Sequence, residues 1–519
     1  MGSIHDETSH LEEHMTRLSE TVEEAVCHDS VAYDKNELRK IERKKYLGGT
    51  DYKKLLREMC IPCWVGQIVQ ALYTTIDSLY IARWSALSVA AMSYVFPFET
   101  IISGIGLMNG VGANGHISSA LGAGDMRLAE KFLANCLAGV LILGIVVPII
   151  LCSALTYLLD LIGTTPDTKP DALKYGYIIC GIGPISYVFA NSCTNLLRAE
   201  GKYKRSVIAL GGGAITNIVL DPIFIYAFKM GLAGAAISTV IANFTCGFLG
   251  WSYFFVRNPA KRSVVILRWK DVFRPNFKIL YKTWSLGASS LLSNLTLSAA
   301  NLVINIINTK FASSSAEAEA YAASIGSISK ILQLFLFSCH AFSQSLIALG
   351  AYSIGAGLYR RFRAQVRLVL YWESGIMIFA AIFLCAFATL LPKIFYSNNA
   401  YYCEVMTKTL YTLAPSQIFV GIQIVAFPAF LGIKKPLMSA FCSALRQFII
   451  VVPVILILGF TLKSPQYTMI AYPISDFLGF LIIILCFWLY RKPLHLIPTE
   501  NDGPMNEQFE EVESIAIEE

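Results

Sequence analysis

Charge is what this chain is short of. Asp, Glu, Lys and Arg make up 15% of its 519 residues, 55% are hydrophobic, and the mean hydropathy is +0.55. Such a balance excludes a soluble globular domain and describes an all-α polytopic membrane protein. The stretch from Met1 to Thr50 also lacks the apolar core of a secretory signal, so residues 1–54 read as a solvated cytoplasmic tail. No disulfide framework shows among the thirteen cysteines: Cys136, Cys180, Cys246 and Cys486 stand singly in apolar stretches, as small buried hydrophobes do. Cys60 and Cys63 form a CxxC without a second pair or a His at zinc spacing, which leaves them to packing.

Missing motifs narrow the function further. "YLGGTDYKKLL" and "GAGDMRL" hold glycines but lack the spacing, or the Lys and Ser or Thr, of a phosphate loop, which argues against ATP-driven transport. Without HExxH, GxSxG or a paired His cluster a membrane enzyme has nothing obvious to work with, and no cofactor is implied. Coupling to an ion gradient remains, and it needs ionisable groups inside the bilayer.

What the chain does have is long apolar runs. A helix needs about twenty residues to cross the hydrocarbon core. Windows of that length give about twelve spans, near 55–82, 87–119, 130–160, 173–198, 204–228, 232–256, 279–309, 320–350, 364–391, 405–431, 437–462 and 466–490. Lys and Arg gather in alternate connections such as "RAEGKYKRS", "LYRRFRAQVR" and "GIKKP", while "GTTPDTKPDALK" and "SNNAYYCE" hold no Arg. That alternation places both termini in the cytoplasm, and the net charge of +6 reports orientation, not a nucleic-acid partner.

An internal repeat organises these spans. Gly122-Ala123-Gly124 matches Gly355-Ala356-Gly357 at an offset of 355 − 122 = 233, while Gly201 pairs with Gly432 and Pro222 with Pro453, each 231 apart. The repeat predicts two pseudo-symmetric six-helix lobes with a central cavity, 55–256 and 283–490. A basic cytoplasmic linker at 257–282 joins them, and an acidic cytoplasmic tail at 491–519 follows. Parallel repeats of this kind occur in secondary transporters, with substrate near the midplane between the halves.

A charge inside the bilayer costs on the order of 2.5–3.5 kcal/mol, so each one needs a reason. Asp77 in "LYTTIDSLYIA" either faces water at the outer end of its helix or serves an ion. Asn217 and Asp221, four apart in "AITNIVLDPIFIYAF", share a helix face and can converge on one point; Asp221 could equally cap a helix restarting at Pro222. Thr239 ordinarily bonds its own i−4 carbonyl. Glu99, deep in the second span, joins this group or faces a water-filled cavity. Tyr73, Tyr80, Phe96 and Phe98 lie near enough for cation–π contact with a substrate, or simply face lipid and core. Arg446 and Asp476 read as a structural charge pair between late helices, Glu373 stands alone, and His340 reads as a satisfied histidine inside the bundle.

Several separated stretches carry a family resemblance: "PCWVGQIVQALYTTIDSLYIARW", "GVGANGHISSALGAGD", "LLRAEGKYKRSVIALGGGAITNIVLDPIFI", "GLAGAAISTV" and "LRQFIIVVPVILIL" with "AYPISDF". Together they resemble the multidrug and toxic compound extrusion (MATE) family, bacterial-type branch, over roughly residues 55–490. The resemblance implies that Asp77, Asn217, Asp221 and Thr239 form an ion-sensitive cluster in the N-terminal lobe. It also implies antiport: an organic, often cationic, drug or toxic compound leaves as protons or sodium ions enter. Sodium at those four residues is the sole metal implied, and the expected protein is a monomer in the plasma membrane that meets lipid and small organic molecules. A lipid-linked oligosaccharide flippase of the same superfamily is the alternative. The seventh span, "LGASSLLSNLTLSAANLV", lacks the Glu that some members of the family use.

Overall fold

The structure is a computed structural model and describes residues 41, 44–162, 164, 168–255, 263–311, 315–395, 400–462, 469–494, 502 and 504–505. Every regular element among them is a helix. In order these are α1 (Tyr52–Trp84), α2 (Ala86–Gly122), α3 (Met126–Ile162), α4 (Lys169–Gly181), α5 (Gly183–Ala199), α6 (Tyr203–Pro222) and α7 (Leu232–Ser252). The segment expected as linker holds α8 (Trp269–Phe273) and the start of α9 (Phe277–Phe311); then come α10 (Ser315–Gly355), α11 (Tyr359–Ala386), α12 (Leu390–Phe395), α13 (Ala400–Leu413), α14 (Gln417–Gly432), α15 (Pro436–Ala444), α16 (Val451–Leu462) and α17 (Ala471–Leu489). A π turn extends α6 through Ile223–Ala227, and another, Leu445–Ile449, joins α15 to α16.

Eight of these helices are long and apolar enough to cross a membrane, or ten spans when the pairs α4–α5 and α13–α14 each count as one. Helix α9 and the run α15–α16 complete the twelve passes expected from the apolar windows. The fourth and tenth passes are broken, by 46° and 59°. Pro184 and Pro415 stand at the two breaks, where a missing N–H and a clash with the preceding turn stop a helix from running on. They lie 415 − 184 = 231 apart, so the repeat extends to the irregularities.

Helix ends give the repeat its register. Gly124 and Gly357 both adopt φ 75°, and the turns close alike: Asp125 N to Ala120 O at 2.9 Å, Leu358 N to Ser353 O at 2.8 Å. At the ends of α5 and α14 the left-handed residues are Gly201 (φ 69°) and Lys434 (φ 57°), which lie 434 − 201 = 233 apart. The sequence pairing of Gly201 with Gly432 is therefore corrected: Gly432 is the last residue of α14, and Lys434 occupies the turn position that only glycine fills without strain.

The halves meet through glycine. A methyl on Gly122 would lie 2.1 Å from the carbonyl oxygen of Tyr352, and one on Gly355 would lie 2.1 Å from that of Ser119. Ser119 and Tyr352 are themselves 352 − 119 = 233 apart, so α2 and α10 cross reciprocally at the pseudo-two-fold axis. Deeper in the bundle, Gly112 abuts the carbonyl of Thr283 and Gly287 that of Met108, at 2.0 and 1.8 Å for the missing methyls. This seam lies toward the end of the bundle that carries the Lys- and Arg-rich loops, called the basic end below.

Linker and tail segments strap the same end. Ser263 donates to Glu200, Arg268 Nε donates to Glu130 at 2.8 Å, and Asn276 N donates to Asn135 at 2.7 Å. Arg363 pairs with Asp502 at 2.5 Å. Arg361, buried, donates to the carbonyl oxygens of Gly48 and Thr50, and Leu47 packs in the core. Residues 45–51 thus belong to the packed body although the sequence places them in a solvated tail.

Candidate functional site

The N-terminal half gathers its carboxyls at one place. On α6, Asn217 and Asp221 are both fully buried, and Asn217 Nδ2 donates to Asp221 Oδ1 at 3.2 Å. Spacing by four puts them on one face, as the sequence predicts. Pro222 follows at the end of α6, and the π turn after it carries Tyr226, whose hydroxyl donates to the Tyr80 carbonyl at 2.7 Å. That bond and an edge-to-face ring contact at 6.3 Å lock the Asp221 end of α6 against α1.

From α1, the carboxyl of Asp77 lies within electrostatic range of Asp221, and Glu99 on α2 lies within electrostatic range of both Asp77 and Tyr73. Tyr175 on α4 donates a short hydrogen bond to Glu99. The group therefore draws on α1, α2, α4 and α6, and α7 adds Ser238, whose hydroxyl donates to Asp221. Three buried oxygens in it have no partner among the described residues: Asp77 Oδ1, Asn217 Oδ1 and Asp221 Oδ2. Ionised carboxylates only accept hydrogen bonds, so two that face each other in a dry pocket leave a place for a proton or a cation.

Not every expected residue takes part as expected. Ser238, not Thr239, reaches Asp221: its hydroxyl donates to Oδ1 and also to the Ala235 carbonyl, while Thr239 contributes a carbonyl oxygen to Asn243 at 3.0 Å. One residue along a helix turns the side chain by about 100°, which decides which of two neighbouring hydroxyls points inward. Tyr175 and Ser238 were not singled out in the sequence; a polar residue beside Thr239 was the one available signal for the second. Among the aromatics, Phe98 is buried in an apolar cluster with Ile102 and Val95, Tyr80 packs on Tyr226, and Phe96 is exposed. Of the four aromatics expected near the site, Tyr73 lies within electrostatic range of Asp77 and Glu99.

In the other half, Asp476 on α17 accepts from Ser416 at 2.7 Å at the α13–α14 break, and its own carbonyl accepts from Gln423 at 2.7 Å. The side chain of Arg446 lies outside the described residues, so the expected pair with Asp476 is not drawn. Glu373 is fully buried on α11 and accepts from Ser343 at 3.0 Å. His340 lies on an exposed face of α10, contrary to the buried position read from the sequence. Two residues earlier on α10, Ser338 accepts a hydrogen bond from Trp64 Nε1 of α1 at 2.6 Å. Cys60 and Cys63 are both buried, and no cluster of three or more His, Cys, Asp or Glu suited to a metal occurs among the described residues. A sodium ion is also held by amide and hydroxyl oxygens.

Comparison with known proteins converges on one family. The sequence model of the MatE family matches residues 62–223 and 289–457. A multidrug export protein MepA of Staphylococcus saprophyticus is 23% identical over 423 residues, covering 81% of this chain and 90% of that relative. Its counterpart from Staphylococcus aureus is 25% identical over 268 residues, 51% of this chain and 58% of the relative. A solved outward-facing multidrug resistance MATE transporter of the MOP superfamily superposes with a TM-score of 0.79 at 24% identity, over 88% of this chain and 99% of that one. A MOP-superfamily transporter from Pyrococcus furiosus gives 0.78 at 23%, over 87% and 98%. At these identities the structural likeness fixes the fold.

Proposed function

The chain belongs to the MatE family of membrane transporters, and on that premise we propose that it is a secondary active antiporter that exports organic, often cationic, drugs and toxic compounds in exchange for H+ or Na+. Relatives named as multidrug export proteins support the substrate class. Three unpartnered buried oxygens at Asp77, Asn217 and Asp221 carry the ion-coupling part. A proton shared by the two carboxyls, or a sodium ion held by carboxylate and amide oxygens, would satisfy them, and Ser238 would hold Asp221 in place. Glu99, fixed by Tyr175, adds negative potential that favours either ion.

The same reading places the basic end, with both termini, in the cytoplasm of a plasma-membrane protein, because Lys and Arg gather in cytoplasmic loops. The glycine seam would then close the cytoplasmic side. With Asp77 and Asp221 charged, the cleft attracts a cationic drug; filling the site with an ion removes that charge and favours release. The testing experiment is efflux of a fluorescent organic cation from proteoliposomes under proton and sodium gradients imposed separately. Efflux driven by at least one gradient, and lost in Asp221→Asn, is expected; equal efflux with neither gradient overturns antiport.

A further inference from the structure

At the basic end, between the two halves, lies a cavity of about 460 Å³ whose charged side chains are all basic. His116 of α2, Lys282 of α9 and Lys434 of the α14–α15 turn line it, with Ser119, Ser285 and Tyr281. His116 is fixed: its ring stacks on Phe132 at 4.5 Å, and Nε2 donates to the Lys282 carbonyl at 3.2 Å. Lys434 stands in a left-handed conformation, φ 57°, where the matching turn of the first half has Gly201. A non-glycine residue there is strained, and such strain persists where a side chain is needed in that place. Burial, and then the facing Lys282, lower the ammonium of Lys434 below the ordinary lysine value, and no Asp or Glu stands among the residues that line the cavity.

Beside this opening Phe277 and Tyr281 stand one turn apart on α9, 71% and 72% exposed, with Phe273, 72% exposed, at the end of α8. Large exposed aromatics gather at the level of the lipid headgroups, and basic pockets between helices at that level suit anionic headgroups. We propose that the cavity binds the phosphate of an anionic lipid headgroup from the adjoining leaflet, held by Lys282 and Lys434 with Ser119 and Ser285 as hydroxyl donors. Because Lys282 and Lys434 come from the second half and His116 and Ser119 from the first, the bound phosphate bridges the halves beside the glycine seam and favours the state in which the basic end is closed.

The test uses the purified full-length chain in a neutral detergent, titrated with dioctanoyl phosphatidic acid, inorganic phosphate or dioctanoyl phosphatidylcholine. Unfolding temperature is followed by tryptophan fluorescence, and bound lipid by native mass spectrometry. A saturable rise with phosphatidic acid and none with phosphatidylcholine is expected, with affinity falling roughly tenfold or more in Lys282→Gln, as the loss of one charge-assisted bond implies. An equal, saturable response to inorganic phosphate supports the phosphate site and assigns its source to soluble anions. Lys434→Gly relieves the turn, so it folds at least as well as the parent chain and should still lose the response. Phosphatidylcholine acting as well as phosphatidic acid, or both variants titrating like the parent chain, overturns the site.

Discussion

At the scale of single residues, the Asp221 environment separates neighbours that the sequence could not. Ser238 donates to the carboxyl and Thr239 does not, and a hydrogen bond to a charged group contributes about 1.5–3 kcal/mol. Ser238→Ala should therefore lower gradient-driven efflux by about tenfold or more, whereas Thr239→Val stays within about twofold of the parent chain, both read by initial rates in proteoliposomes. Equal losses would return Thr239 to the site. Asp221→Asn should abolish coupled export while still yielding folded, inserted protein, checked by its thermal unfolding. Asp77, Asn217, Asp221 and Glu99 were legible because polar groups inside apolar spans are expensive and therefore conspicuous. Ser238 was not legible, since serine is cheap inside a helix and its meaning depends on a rotation that periodicity alone does not fix. Phe98 shows the converse: an aromatic near the site in sequence points into apolar packing instead.

At the scale of elements, the glycines of α2, α9 and α10 hold the halves together by allowing backbone to touch backbone. Gly287→Ala would place a methyl 1.8 Å from the Met108 carbonyl oxygen, a distance no side chain adjustment relieves, because the obstacle is main chain. It should open the basic end or unfold the protein, lowering stability by several kcal/mol as overpacking and lost contacts add. Gly124→Ala meets nothing within 4 Å and pays only the left-handed conformation, about 1–2 kcal/mol. Denaturation midpoints of the two variants, with labelling of a cysteine introduced at Ser119 to report opening, distinguish close approach from strain. Twelve passes and the offset of 233 were readable from apolar length and from Gly-Ala-Gly. Bends of 46° and 59° were not, because one proline among about twenty mostly apolar residues barely lowers their mean hydropathy. The match between Gly201 and Lys434 was hidden by chemistry: a search for paired glycines passes over a lysine made to take a glycine's conformation.

For the whole molecule, the question is how a site buried in one half governs release from a cleft between two. A ligand that binds both conformations equally shifts nothing, and moving a two-state equilibrium from 1:99 to 99:1 takes about 5.5 kcal/mol of differential binding. The unpartnered oxygens of Asp77, Asn217 and Asp221 offer such a difference, since an ion gains most in the state where all three converge. Drug and ion then compete through charge, and reciprocity follows: if the ion weakens drug binding by some factor, bound drug weakens ion binding by the same factor. Affinity for a permanently charged organic cation, measured on purified protein between about pH 5.5 and 8.5 with and without sodium, should fall as pH drops or sodium rises. Drug added to unbuffered protein should release protons if the ion is H+, and should leave pH unchanged if it is Na+ alone. Both dependences should vanish in the Asp77→Asn/Asp221→Asn double variant, which keeps the size and planar shape of the side chains but cannot change charge. A flat profile in the parent chain under both titrations would leave these residues the lesser task of shaping α6 around Pro222, and the coupling would have to be sought at another buried carboxyl, such as Glu373 inside the second half.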